Sequence, residues 1–390
     1  MADEAERRAW IGLASVEGVG LDNFWRLVAR YGNACDVIAA AVTGDVRRWV
    51  KHMRREQAGA VIADATLAEL EALPGTLDTR LVEVEERGLW TTTPLDPDYP
   101  QRLSDLDPRP PVIHGWGDQA LLDARRAVAV VGTRRPTPAG RLLAGRIASR
   151  LVEAEAVIVS GVAVGIDGAA HAATLANQGL TVGVIGGGHD HPGPRAHSLL
   201  RRQIVDNGGA LISEHHPTVT PTHGTYPRRN RVIAALGEAT VVVEAPLKSG
   251  ALITARIAME IGRLVLAAPG RVGDWSTAGC LRILREDPAR PLVGLDEMIA
   301  DLGYDQPMAS GSTTKRGAAL TATAAMALLE GAERSIAERL RRSPAGLDVL
   351  VDDTGLPPSV VSGAVTLLLL RGWVQSVGPA YLPAGPLLVA

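Results

Sequence analysis

The sequence predicts an α/β protein with a doubly wound, mostly parallel sheet, preceded by a small helical domain and followed by a domain with the element order of a winged helix. Three observations carry this. From Arg126 onward, six short runs rich in β-branched residues (AVAVVG, AVIVSG, TVGVIGGG, ALISE, ATVVVEA and RLVLAAPG) alternate with stretches of helical period. Nearly every run ends in Gly or a small polar residue where a helix should begin, the edge at which open α/β sheets hold ligands. On either side of this region the apolar spacing is helical.

Taken in order, residues 5–72 read as helices, with apolar positions at helical spacing in NFWRLVARYG and AVIADATLAELEAL, broken by glycines and then by Pro74-Gly75. The helical domain is therefore set at 1–76. Its SVEGVGLDNFW segment, with Gly18, Val19 and Gly20, fits a helix-hairpin-helix turn whose glycines let backbone N–H groups approach a phosphate. An ordinary interhelical turn, in which glycine is common, is the favoured reading of the same residues. The α/β domain is set at 80–305, with the proline-rich stretch 80–120 expected to wrap onto it. Residues 306–318, QPMASGSTTKRGA, are small, polar and aperiodic, as a linker would be. Residues 319–390 then read as helix, turn, short helix, a helix opened by proline, and a hairpin. There are no internal repeats.

With 390 residues, 46% of them apolar, the chain is expected to bury one large core and one or two smaller ones. No apolar run approaches the roughly 18–20 residues that span a bilayer, and MADEAERRAW lacks the apolar stretch of a signal peptide, so a cytoplasmic location without a membrane partner is expected. Cys35 and Cys280 are far apart without CxxC spacing, which argues against a thiolate zinc site and a disulfide framework and places both in the core. The net charge of −3 hides an asymmetry. Residues 125–270 carry 16 Lys+Arg against 9 Asp+Glu, or +7, and the remainder carries 24 against 34, or −10. A basic middle in an acidic protein suits a face that meets polyanions.

The loops of that middle carry the chemistry. VVGTRRPTPAG joins the first run to a helix through Gly132, Thr133 and Arg134, which offer close approach, a hydroxyl and a planar guanidinium fork for a phosphate. It is neither GxGxxG nor a P-loop, and alone it also fits a tight turn with surface arginines. VSGVAVGIDGAAH places Ser160, Gly161 and Gly165 at a second such turn, with Asp167 where an N-cap would sit. A Ser160–His171–Asp167 hydrolase triad lacks the GxSxG elbow. GGGHDHPGPRAH contributes Gly188 and several histidines, but no carboxylate or cysteine at a metal-ligand spacing, so neither a metal nor a cofactor is expected. TYPRRNRVIAAL gathers Arg228, Arg229, Asn230 and Arg231 at the start of a helix, where the dipole disfavours clustered cations without an anion. One or two of these arginines have a rival role, pairing with Glu214 or Glu244 inside the domain. KSGALIT sets Lys248, Ser249 and Gly250 at a further strand end. A doubly wound sheet would bring these loops to one edge as a basic trough.

Taken together, VVGTR, SGVAVGIDGAAH, TYPRRNRVIAAL, VVVEAPLKSGALITARIAMEIGR and LAAPG resemble the DNA-processing protein A family (DprA, also called Smf), strongly over about residues 80–305 and more weakly toward both ends. The resemblance implies a Rossmann-like domain that binds single-stranded DNA, dimerises and helps load the RecA recombinase during natural transformation, with no catalytic step. It also implies a small SAM or helix-hairpin-helix-like domain in front and a winged helix behind. Arg134, beside Gly132 and Thr133, would hold backbone phosphate, Arg195 would stand where the family tends to place a basic residue, and Lys248, Ser249 and Gly250 would match the family's Lys-Ser-Gly loop. Two departures stand out: Val164 replaces an arginine in the usual SGxARGID, and HDHPGPRAH replaces LDxxYP.

Two other classes compete with a non-enzymatic single-strand binder. A nucleoside monophosphate hydrolase, with Glu244 as the glutamate near its Gly-rich loop, would want a PGGxGTxxE spacing that is missing. Reading of DNA by the last domain is opposed by its charge, since Arg371 is the only Lys or Arg from Pro344 onward, against three aspartates. The aromatic content is 3%, with Tyr226 and Trp275 as the candidates for stacking on bases.

Overall fold

In a computed structural model of the chain, which describes residues 4–56, 62–221, 225–305, 326, 329, 331–342, 345–370, 373–377 and 380–383, the six apolar runs are the central strands of one sheet. They are β3 (Ala127–Val131), β4 (Val157–Ser160), β5 (Thr181–Val184), β6 (Ala210–Ser213), β7 (Ala239–Val242) and β8 (Leu264–Ala267). Three further strands complete it: β1 (Trp90–Thr92), β2 (Ile113–Gly117) and β9 (Arg290–Pro291). The order is β1-β2-β6-β5-β4-β3-β7-β8-β9, parallel from β6 to β9 and antiparallel where β2 joins β6 and β1 joins β2. The chain runs outward from β3 in one direction through β4, β5 and β6, then returns to its other side with β7. The strand order therefore reverses between β3 and β7.

Successive residues of β3 point to opposite faces, and both faces are covered. Val128 and Val130 pack with Ile147, Leu151, Val241 and Leu266 under α6 (Pro138–Glu153) and α7 (Ile166–Ala176). Ala129 and Val131 pack with Val159, Val182, Val232 and Ala255 under α9 (Thr225–Leu236) and α10 (Ala251–Glu260). Helices α8 (Ser198–Asp206), α11 (Ala278–Glu286) and α12 (Leu295–Asp301) complete this layer structure.

In front lie five helices: α1 (Glu4–Ser15), α2 (Gly20–Tyr31), α3 (Ala34–Val42), α4 (Asp45–Arg55) and α5 (Asp64–Glu85). Their core is Leu13, Phe24, Leu27, Leu67, Leu70 and Leu73, with Trp10 and Trp25 edge-on to Phe24 and to each other. The break expected at Pro74-Gly75 does not occur, since α5 runs through both residues. Interior Pro and Gly cost about 3 and 1 kcal/mol. The helix buries Leu67, Leu70 and Leu73 before that point and Leu81 and Val84 after it, and at about 1.5–3 kcal/mol per buried side chain that burial outweighs the break. The helices also dock on the proline-rich stretch: Trp10 Nε1 donates to the Pro111 carbonyl at 2.6 Å, Trp25 Nε1 to that of Arg109 at 2.8 Å, and Arg7 pairs with Asp96 at 2.7 Å. Cys280 is buried, but Cys35, the second residue of α3, is exposed.

The chain divides into two compact units, residues 1–306 and 307–390. The second holds α13 (Gly331–Arg342), α14 (Leu347–Thr354) and α15 (Pro358–Leu370) with an antiparallel sheet of β10 (Ala345–Gly346), β11 (Val374–Val377) and β12 (Ala380–Pro383), a winged helix around Ile336, Leu340, Leu350, Val361 and Leu368. The linker expected at 306–318 lies outside the described residues, as does the side chain of Tyr226. No helix among the described residues is long and apolar enough to cross a membrane.

Candidate nucleic-acid interface

The reversal of strand order places the loop after β3 beside the loop after β7, and the Thr133 N–H donates to the Glu244 carbonyl at 2.7 Å. A third loop, after β4, comes up against them, with the Ile166 N–H on the Thr133 carbonyl at 3.2 Å. That approach requires glycine. Gly165 has φ +99°, and a Cβ there would stand 2.4 Å from the Thr133 oxygen; a Cβ on Gly132 would collide with Ile166.

The result is a cleft of about 490 Å³ at the carboxyl edge, lined by Gly132, Thr133, Arg134, Arg135, Asn230, Lys248, Ser249, Gly250 and Trp275 among others. Arg134, Arg135 and Lys248 are exposed along it. Asn230 is fixed by its Nδ2 donating to the Gly250 carbonyl at 3.2 Å, and the Thr133 hydroxyl accepts the Arg135 N–H at 3.2 Å. A second cleft of about 650 Å³ shares Arg134, Ala163 and Arg229 with the first and is lined by Gly161, Val164, Arg195 and Arg201. Val164 faces this second cleft and is 37% exposed, so the missing arginine leaves an apolar wall there.

The α9 cluster separates into distinct roles. Arg229 is buried, donating to the carbonyls of Gly161 and Val184, with its guanidinium 4.0 Å from Asp167. Burial pushes the Asp167 carboxyl above its usual range, and Arg229 together with backbone donors at Ala163 and Gly161 pulls it back. Asp167 is the second residue of α7, not its N-cap, which is Gly165. Arg231 pairs with Glu214 and donates to the Pro108 carbonyl at 2.8 Å. Arg228 alone of the three points outward, its Nη1 reaching 3.4 Å from where a Gly20 side chain would begin.

Five of the expected lining groups line neither cleft. Ser160 is fully buried and donates to the Val130 carbonyl at 2.6 Å, because its strand position points into the core. Gly188 packs on the backbone of Pro217, with its N–H on the Val219 carbonyl at 2.8 Å, and lines neither cleft. Gly165, packed against the backbone of Thr133 and Arg134, and Arg228 and Arg231 also line neither cleft, whereas Arg229 borders both but spends its head group on the carbonyls of Gly161 and Val184. Conversely, Arg135 and Arg201 line the clefts; the Arg-Arg pair in GTRRP signalled the first, and nothing in sequence signalled the second.

The enzyme readings meet specific geometry. Glu244 is buried, accepting the Thr137 hydroxyl at 2.8 Å and the Thr137 N–H at 3.1 Å at the N-terminus of α6, and it does not line the cleft. His171 bonds Thr181 at 2.7 Å rather than Ser160, so no relay links Ser160, His171 and Asp167. Among the described residues no group of three His, Cys, Asp or Glu side chains is placed to hold a metal ion.

The fold and site define a Rossmann-like doubly wound protein with a cationic crevice at its switch point. Residues 90–303 match the family described as DNA recombination-mediator protein A, and residues 320–378 match the DprA winged helix domain. A relative from Mycobacterium tuberculosis that carries the DNA processing protein DprA name is 36% identical over 367 residues, which cover 90% of this chain and 91% of its own. The X-ray structure of DNA processing protein A from Streptococcus pneumoniae is 33% identical, with a TM-score of 0.55, over 65% of this chain and 90% of that one. The protein of that name from Helicobacter pylori, whose structure describes a single-stranded DNA binding mode, is 28% identical, with a TM-score of 0.51, over 56% of this chain and 96% of that one. The chain belongs to the DNA recombination-mediator protein A family.

Proposed function

We propose that the crevice binds single-stranded DNA and that the chain is a non-enzymatic recombination mediator, protecting incoming strands and loading RecA during transformation, as a homodimer in the cytoplasm. The observation that carries this reading is the convergence of Arg134, Arg135 and Lys248 with Gly132, Ser249, Gly250 and Asn230 at the strand-order reversal. Cations, hydroxyls and unhindered backbone at one edge suit a run of phosphates. Membership of the family, and the single-strand binding mode described for the Helicobacter pylori protein, point the same way.

The test is fluorescence anisotropy of a labelled oligothymidine and a matched duplex across a salt series, for the wild type and for Lys248→Ala with Arg134→Ala. Salt-sensitive single-strand binding is expected, with the double variant weaker and its log–log salt slope shallower by about 1.4, roughly 0.7 for each lost phosphate contact. Absence of binding at low salt rejects the reading. Base or phosphate release from nucleoside monophosphates would then be the next measurement.

A further inference from the structure

We propose that Trp275 is a stacking platform for an unpaired nucleobase at the mouth of the first cleft, a base subsite beside the phosphate contacts. The inference rests on the reading of that cleft as a single-strand site.

Trp275 is 66% exposed and lines the cleft with Arg134 and Lys248. Among the described residues it is the only Phe, Tyr or Trp that lines either cleft. Other tryptophans are engaged elsewhere: Trp10 and Trp25 in the helical core, and Trp90 over Gly115 with its Nε1 on the Gly117 carbonyl.

The loop that presents Trp275 is braced. Asp274 Oδ1 accepts the Ser276 N–H at 3.0 Å and its hydroxyl at 2.8 Å, and the Asp274 N–H closes a turn on the Arg271 carbonyl at 3.1 Å. Beyond it, the Gly279 N–H donates to the Ala245 carbonyl at 2.8 Å, tying the first turn of α11 to the segment that follows β7. A rigid aromatic face beside a cationic groove is the arrangement that holds single strands without reading their sequence, because every base has a π-face.

Val272, 97% exposed nearby, raises a second copy of the chain as a competing occupant. The charge around Trp275 favours a base, since the cores of protein–protein interfaces are depleted in charged residues.

Binding by the full chain and by Trp275→Ala and Trp275→Phe is measured with oligothymidine and with an abasic oligonucleotide of equal length, together with the mass of each protein in solution. Trp275→Ala is expected to weaken oligothymidine binding about 5- to 150-fold while leaving the abasic strand, the salt slope and the mass unchanged. Trp275→Phe should restore most of the loss. Equal weakening of both strands, no weakening of either, or a halved mass overturns the platform and leaves the cleft reading intact. A wild type that binds neither strand overturns both.

Discussion

Three arginines within four positions of one helix show how a charge cluster divides between folding and function. Arg229 satisfies two carbonyls and faces Asp167 in the interior, whereas Arg228 faces outward. Arg229→Ala takes from Asp167 the larger of its two cationic neighbours, leaving Arg134, and should destabilise the fold by about 3–5 kcal/mol in chemical denaturation. Arg228→Ala should change stability by less than about 0.5 kcal/mol and, where a phosphate reaches it, flatten the salt dependence of single-strand binding by about 0.7. A reversed pattern would mean that the two side chains had been assigned the wrong roles. In sequence the cluster was legible as unusual, and so was the competition for carboxylates. Which arginine went inward was not, because that depends on α9 placing Arg229 over the ends of β4 and β5, and Arg231 against Glu214. Asp167 was missed as the partner for the same reason, since 62 residues of chain separate the pair.

The buried strands announced themselves by continuous β-branched runs, and their loops by Gly and small polar residues. Strands β1 and β9 are too short, at three and two residues, to show any period, and β2, IHGWG, has its Ile and Trp interrupted by two strand-disfavouring glycines. Yet β2 carries His114, and around it lie His189, whose Nε2 is 3.1 Å from the His114 carbonyl, and His216, whose Nε2 is 3.2 Å from the Arg80 carbonyl of α5. Burial lowers the proton affinity of all three below the ordinary histidine value of 6.5; the Arg80 carbonyl and then Glu83 offset this in part for His216, as the His114 carbonyl and Asp190 do for His189. His215, half-buried, is pushed down to about 4 by desolvation and then by Arg228 and Arg231. A group with a depressed folded value stays neutral in the fold and takes up its proton on unfolding, so its contribution is complete above pH 6.5 and drains away on acidification. Buried Asp167 and half-buried Glu214, raised by burial, work in the opposite sense between their raised folded values and the ordinary carboxylate range, and offset part of the histidine effect. Unfolding free energy should therefore fall from pH 7 to pH 5, by up to about 1.4 kcal/mol per pH unit for each such histidine. His216→Gln, which keeps a donor for the Arg80 carbonyl, should flatten that fall. An unchanged slope would remove His216 from the account.

At the scale of the whole chain, the helical region and the sheet form one unit because Trp10, Trp25 and Arg7 fasten α1 and α2 to residues 96–111, while residues 307–390 form a core of their own. The clefts lie entirely within the first unit. Helix α15, in the place a winged helix uses for recognition, has no Lys or Arg and exposes Val360 and Leu367, a surface suited to apolar protein contact rather than phosphate. Ending the chain at residue 306 should therefore leave single-strand affinity within about twofold of wild type and its salt slope unchanged, because no phosphate contact is removed. If instead the shortened chain keeps its melting transition but loses binding, the second unit must supply contacts that its charge pattern does not suggest. If affinity falls together with molecular mass, the loss belongs to self-association, since two linked sites on one strand bind more tightly than either alone.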